Sequence, residues 1–415
     1  MTEQRRIFYG WYVVAVSALG LSFGYPTVIV YSFGVFIKPL TQELHASRAA
    51  VSFAFSLSSL MLSLSAPLIG ALSDRFGPRK VILASTIIFA LLLLFAPLLP
   101  AQLAILYVFY SAAGLAGNGT APIPYGRLVA SWFDRRRGLA LGLALVGIGL
   151  GAIFMPALSQ KLIARVGWRN TYTVIAALIL AIPVPAVALF MKDVPAMLGQ
   201  FPDGAPSRRS AAPIGAGHAI EGFTWPEARR TSTFWRIVAA IFLLGGSVHG
   251  CVLHLAPLLT DKSVPADTVA LAVGTFGAAL MIGRAGSGYL LDRFFAPRVG
   301  MSLFAAAACG MALLRFAADT PLVFPAVFLV GMGMGAEVDM IAYLTSRYFG
   351  LRALGEIYGY AFAGFTLAGA LGPWLMGLGF DRTGSYHSVL LAFCAATLLS
   401  AALVSTLGPY RFRPA

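Results

Sequence analysis

Stretches free of Asp, Glu, Lys and Arg recur along the chain, at residues 7–37, 49–73, 138–160, 170–191, 237–260, 357–380 and 383–410. Each is long enough to cross a hydrocarbon layer as a helix of about 20 residues. The run 81–126 is too long for one span, and Pro100-Ala101-Gln102 divides it into two. Three further apolar stretches are less pure: 268–291 carries Arg284, 299–318 carries Arg315, and 320–346 carries Glu337 and Asp339. The pattern predicts an all-α membrane protein of twelve spans with both ends of the chain on one side. The first stretch is too long for a signal-peptide core and no small-residue cleavage site follows a short one, so it is expected to be kept as the first helix.

Composition agrees. Of 415 residues, 59% are hydrophobic and 11% charged, against about a quarter charged in soluble domains. The net charge of +14 would suggest a nucleic-acid partner if it were clustered on one surface, but its placement gives another reading. With the N-terminus inside, twenty of the thirty Lys and Arg fall in inside segments, eight fall in outside segments, and Arg127 and Arg284 lie within spans. This bias sets both termini in the cytoplasm of a cell membrane, inner or plasma. Cys251, Cys309 and Cys394 lie in apolar spans without metal-ligand spacing, so neither disulfides nor a metal framework are expected. No cofactor motif is present.

Residues 192–232 form the one long polar segment, with Pro195, Pro202, Pro206 and Pro213 and six positive charges. It reads as a cytoplasmic linker between an N-terminal six-helix bundle, 1–191, and a C-terminal one, 233–415. The halves echo one another. Gly70-Ala-Leu-Ser-Asp74-Arg75-Phe76 returns as Gly288-Tyr-Leu-Leu-Asp292-Arg293-Phe294, an offset of 218, and Trp132-Phe133 returns as Tyr348-Phe349, an offset of 216. Parallel repeats predict a substrate site between the halves near mid-membrane, with alternating access by rocking. The segment Gly70-Ala-Leu-Ser-Asp74-Arg75-Phe-Gly77-Pro-Arg79-Lys80 resembles the signature loop of the major facilitator superfamily. Its glycines permit close helix approach, and Asp74, Arg75 and Arg79, with Asp292, Arg293, Arg127 and Arg347, are expected to latch the inside gate.

Ionisable groups inside a membrane are costly, about 2.5–3.5 kcal/mol at a helix centre on insertion scales, and mark function. Arg284 is the deepest base, eight residues before Asp292. Its fork matches a carboxylate, so it reads as a substrate-anion contact, with an ion pair to Glu337 or Asp339 as the bland alternative. Glu337 and Asp339 stand about 200° apart on a helix and should face different neighbours. Asp339 shares a stripe with Tyr343 and Arg347, which suggests a tie to the inside gate. Glu337 is then the better proton carrier, released to take up a proton when substrate occupies Arg284. His249 and His254 fall on faces about 140° apart, which argues against a joint metal site; each is either a proton or anion contact or a helix-to-helix hydrogen bond. Asn118, Tyr125, Tyr25 and Tyr343 complete the expected substrate contacts, while Tyr31 reads as aromatic packing.

Arg284, the Asn118-Gly-Thr stretch, His254-Leu-Ala-Pro-Leu-Leu-Thr-Asp, the opening Gly10-Trp11 and Gly372-Pro373 with Asp381-Arg-Thr-Gly-Ser-Tyr386 together resemble the monocarboxylate and oxalate/formate transporter group. That resemblance implies a substrate-carboxylate role for Arg284 and a proton-coupled monocarboxylate symporter, a monomer whose partners are a small organic anion, protons and the bilayer. The chain departs from the group at Thr27, where animal carriers have a lysine, at Leu280, where they have an aspartate, and in 357–380, which lacks the oxalate carriers' lysine. Without that lysine, a small dicarboxylate needing two cations is disfavoured against a monocarboxylate. A proton-coupled drug or metabolite exporter and an organic anion exchanger are the alternatives, although 146–156 does not match the drug antiporters' Gly-Pro motif. No constellation of nucleophile, base or metal ligands suggests an enzyme.

Overall fold

The computed structural model describes residues 8–204, 221–316 and 322–412. The middle of the linker, with Pro206, Arg208, Arg209 and Pro213, lies outside the described residues, as do Arg5, Arg6 and Arg413. Sixteen α-helices follow in chain order: α1 (Gly10–Ser22), α2 (Phe33–Leu44), α3 (Arg48–Phe76), α4 (Pro78–Leu94), α5 (Leu103–Gly117), α6 (Pro122–Trp132), α7 (Arg137–Ala181), α8 (Pro183–Phe190), α9 (Trp225–Ala228), α10 (Ser232–Leu253), α11 (Leu255–Thr260), α12 (Ala266–Arg293), α13 (Ala296–Phe316), α14 (Val323–Phe349), α15 (Leu354–Thr383) and α16 (His387–Ser405).

Leu, Ile, Val, Ala and Phe occupy every face of most of these helices. Leu64, Leu68, Ile88, Val108, Ile153, Leu189 and Leu253 are each more than half exposed on the outer surface. Such an apolar exterior is suited to lipid and would be an aggregation surface in water. Among the described residues, ten helical stretches are long and apolar enough to cross a membrane, where the sequence pattern predicts twelve spans. The difference has two local causes. One stretch, Arg137–Phe190, runs for 54 residues and breaks at Gly167, whose φ of 77° and ψ of 165° leave helical space; a side chain would be strained there. The other is the 3₁₀ turn Asn118–Thr120, which interrupts the helical course between α5 and α6 ahead of Pro122 and Pro124.

Helices of residues 8–190 pack chiefly on one another, and those of 232–405 do likewise. Two long contacts join the sets, α3 along α15 and α7 along α12, and α6 and α14 meet further in. The second half of α14 is buried throughout, from Gly333 to Phe349. A π-helical turn, Pro26–Tyr31, follows α1. Its wider turn shifts side chains off the faces an unbroken α-helix would give them.

Candidate functional site

The two long contacts are copies of one design. At the α3–α15 crossing a Cβ on Gly70 would strike the carbonyl of Gly355, and one on Gly355 would strike that of Gly70. At the α7–α12 crossing Gly138 and Gly288 stand in the same relation. Backbones this close leave room only for hydrogen. Beside each crossing sits a carboxylate. Asp74 accepts from the backbone N–H groups of Gly355 at 3.0 Å and Glu356 at 2.9 Å. Asp292 accepts from Gly138 at 2.6 Å and Leu139 at 2.8 Å. Each acid therefore caps the positive end of a helix belonging to the other set, satisfying otherwise orphaned donors.

Further bonds seal the same face, which carries the linker. Arg127 donates from Nε to Asp74 at 2.8 Å. Arg347 pairs across the sets with Asp134 at 2.6 Å, and also donates to the Asp134 carbonyl. Arg137 donates to Ser346 Oγ at 3.1 Å. From the linker, the Asp203 carboxylate accepts from the backbone of Asp134, Arg135 and Arg136 at 2.9, 2.8 and 3.3 Å, fixing the loop that presents Asp134. The arrangement is closed on the linker face.

Above this seal lies the charged cluster. Arg284 of α12 is 3% exposed, and its Nε and Nη1 are buried without a hydrogen-bond partner. Among the described residues no ion pair reaches it. The bland alternative, a static pair with Glu337 or Asp339, is thus not formed in this arrangement. Both acids are fully buried and within electrostatic reach of the guanidinium. They face different helices, as their spacing requires. Glu337 approaches His249 Nδ1 of α10 at 3.9 Å, and Asp339 accepts from Ser287 Oγ of α12 at 3.3 Å. Glu337 Oε2 and Asp339 Oδ1 are also without hydrogen-bond partners. Unpaired polar atoms at this density are rare in folded proteins, and strain, a water, an ion or a ligand has to account for them.

Other expected residues fall elsewhere. Asp339 does not reach the gate through Arg347: Arg347 pairs with Asp134 and contacts Tyr343, while Asp339 is held by Ser287. Tyr343 lies under the Arg347 guanidinium, 5.2 Å from ring centre, and belongs with the gate rather than the anion contacts. Both ring nitrogens of His254 are engaged, Nδ1 with Tyr386 Oη at 3.2 Å and Nε2 with the Pro373 carbonyl at 3.1 Å, the helix-to-helix alternative. Tyr25 donates to Ser58 Oγ at 3.0 Å inside the N-terminal set. Asn118 donates to the Leu62 carbonyl and to Ser65 Oγ, stapling the 3₁₀ turn that follows α5 to α3. Tyr125 borders a narrow void between the two sets. Arg75 and Arg293 are exposed and stack on their own neighbours Phe76 and Tyr289 instead of bridging the gate. Arg79 ties its loop to Asp193 and the Ala188 carbonyl within the N-terminal set.

Tyr31 ends the π-helical turn after α1 and is 36% exposed. Asp134, Arg137, Ser346 and Asp203 were missed as gate residues. The only signal in sequence was the repeat that places Trp132-Phe133 opposite Tyr348-Phe349, next to Asp134 and Arg347.

Known proteins share this architecture. Monocarboxylate transporter 11 of Mus musculus is 25% identical over 410 residues, spanning 95% of this chain and 86% of the relative. The structure of the human organic anion transporter MFSD10 (TETRAN) superposes with a TM-score of 0.71 at 15% identity, covering 95% of this chain and 99% of that one. The proton:xylose symporter XylE superposes with a TM-score of 0.73 at 13% identity, covering 97% of each chain. At such identities the superpositions speak for the fold alone. Residues 11–373 match the profile of the Major Facilitator Superfamily, and the chain belongs to that family of integral membrane transporters, which are not enzymes.

Proposed function

We propose that the protein is a secondary active transporter of small organic anions, carrying a monocarboxylate together with a proton by alternating access. The observation that carries this reading is the Arg284 guanidinium, buried between the helix sets with two unpaired nitrogens. Its planar fork suits a carboxylate in two-point geometry. Two carboxyl groups beside one guanidinium also supply a reason for proton coupling. A monocarboxylate adds a negative charge to a cluster that already holds Glu337 and Asp339, and burying that excess in a membrane is costly unless a proton enters with it. Glu337, next to His249, is the assigned proton carrier, and Asp339 and Tyr125 are assigned supporting roles. The monocarboxylate transporter relative supports the substrate class.

In this reading Arg137–Phe190 counts as two crossings that turn at Gly167, and α5 with α6 counts as one, giving twelve crossings in halves divided at 192–232. The linker face is cytoplasmic by its positive charge, so the arrangement is closed to the cytoplasm. The test is uptake of labelled acetate, lactate, pyruvate and benzoate into proteoliposomes with and without an inward proton gradient. Gradient-stimulated uptake of one or more is expected. Transport of cationic drugs with no carboxylate uptake would replace this reading by that of an exporter.

A further inference from the structure

One polar group in the centre of the molecule has no part in the gate or the charge cluster described above. Tyr358, on the first turns of α15, is 1% exposed and its hydroxyl has no hydrogen-bond partner. It borders a narrow, mostly apolar gap between the two helix sets, too tight for a water molecule in this closed arrangement, whose walls include Leu21, Tyr125 and Leu141 from one set and Ala342 from its own. Its ring reaches across the boundary, so that a Cβ on Gly126 of α6 would stand 2.9 Å from Tyr358 Cε1. Asp339 and Arg284 both act on the hydroxyl electrostatically. Three residues earlier on the same helix, Gly355 donates its N–H to Asp74. Tyr358 therefore stands between the charge cluster and the gate, with a donor and nothing to give it to.

We propose that Tyr358 is a further anion-binding residue, whose hydroxyl donates to the carboxylate held by Arg284 once the two helix sets part at this boundary and the anion moves toward the linker face. This rests on the transport reading above and adds to it a contact next to the gate. A buried hydroxyl without a partner is a cost in the empty protein and a gain only when an acceptor arrives. A merely structural tyrosine would instead have a bonded hydroxyl, or one whose loss changed nothing. Because α15 both carries Tyr358 and supplies the N–H groups capped by Asp74, an anion drawn onto the hydroxyl pulls on the element that closes the linker face.

The test is Tyr358→Phe, which keeps the ring that packs on Gly126 and removes only the hydroxyl. Purified wild type, Tyr358→Phe and Arg284→Ala would be compared for thermal stability without substrate and for uptake of acetate, lactate, pyruvate and benzoate into proteoliposomes. The expected result is a melting temperature at or above that of wild type, with KM for the transported anion raised about tenfold, the loss of one hydrogen bond to a charged group. Unchanged KM in Tyr358→Phe, with uptake by wild type and none by Arg284→Ala, would overturn the Tyr358 assignment alone. Absence of carboxylate uptake by wild type would remove the transport reading and this assignment with it. Should the phenylalanine variant fold poorly, Tyr358→His, a smaller ring with its own donor, would serve. Restored stability with an altered order of preference among the four anions supports the role, and an unaltered order counts against it.

Discussion

Asp292 offers the cleanest test of the gate. It accepts two backbone N–H bonds from the start of α7, at 2.6 and 2.8 Å, whereas Asp74 also holds Arg127, so that its removal would strand a second charge. Asp292→Asn keeps the shape and one acceptor oxygen but loses the charge and one of the two bonds. A hydrogen bond to a charged group is worth about 1.5–3 kcal/mol and an acid at a helix N-terminus about 0.3–1 kcal/mol. The closed arrangement should lose about 2 kcal/mol, a shift of roughly 30-fold in the ratio of closed to open molecules. The Asp74 cap lies at the other crossing and shares no partner with it, so the double variant Asp74→Asn/Asp292→Asn should lose at least about 4 kcal/mol, or roughly a thousandfold. Arg75 and Arg293 are exposed, lie in opposite helix sets on this face and take no part in the seal. Replaced by cysteine in a background lacking Cys251, Cys309 and Cys394, they would carry spin labels for electron–electron distance measurement. The distribution should gain a longer distance in Asp292→Asn and be dominated by it in the double variant. A distribution identical to that of the parent in both variants would refute the capping argument.

Three more expectations follow from the same geometry. Gly138→Val places branched carbon against the Gly288 carbonyl, so the linker face should fail to close and net uptake should fall to background while the protein remains folded by circular dichroism. Arg347→Ala removes the 2.6 Å pair across the helix sets and leaves Asp134 only partners such as Arg137 in its own set, so the closed arrangement should lose about 1.5 kcal/mol, seen as faster labelling of a cysteine placed at Ser346. Glu337→Gln should abolish stimulation by a proton gradient yet preserve counterflow of labelled against unlabelled carboxylate, since the glutamine cannot carry a proton but the guanidinium still holds the anion. Stimulation retained in Glu337→Gln would move the proton to Asp339 or His249.

Much of this was legible in the chain because the physics is local or repeated. Charge-free runs locate the membrane-crossing helices, since each must be apolar over its own length. The repeat of Gly70 and Asp74 at Gly288 and Asp292 points to the two helix crossings, since glycine and aspartate at that spacing serve one geometry twice. What could not be read is where a side chain ends up after the sets close on each other. Arg347 shares a helical stripe with Asp339, but its partner, Asp134, comes from the other set, and stripe reasoning cannot see across that boundary. Tyr358 carries no signal of its own, as one tyrosine among fifteen, until its hydroxyl is found buried and unbonded. His254 and Tyr25 look equally polar in sequence, and only their bonds to Pro373, Tyr386 and Ser58 remove them from the site.

The most direct measurement is counterflow of the transported carboxylate in proteoliposomes containing wild type, Arg284→Lys or Arg284→Ala. Counterflow needs no gradient and isolates anion recognition from proton coupling. Wild type is expected to exchange, Arg284→Lys to exchange weakly because a point charge replaces the two-point fork, and Arg284→Ala not at all. Undiminished exchange by Arg284→Ala would contradict the claim that this guanidinium is where the anion binds.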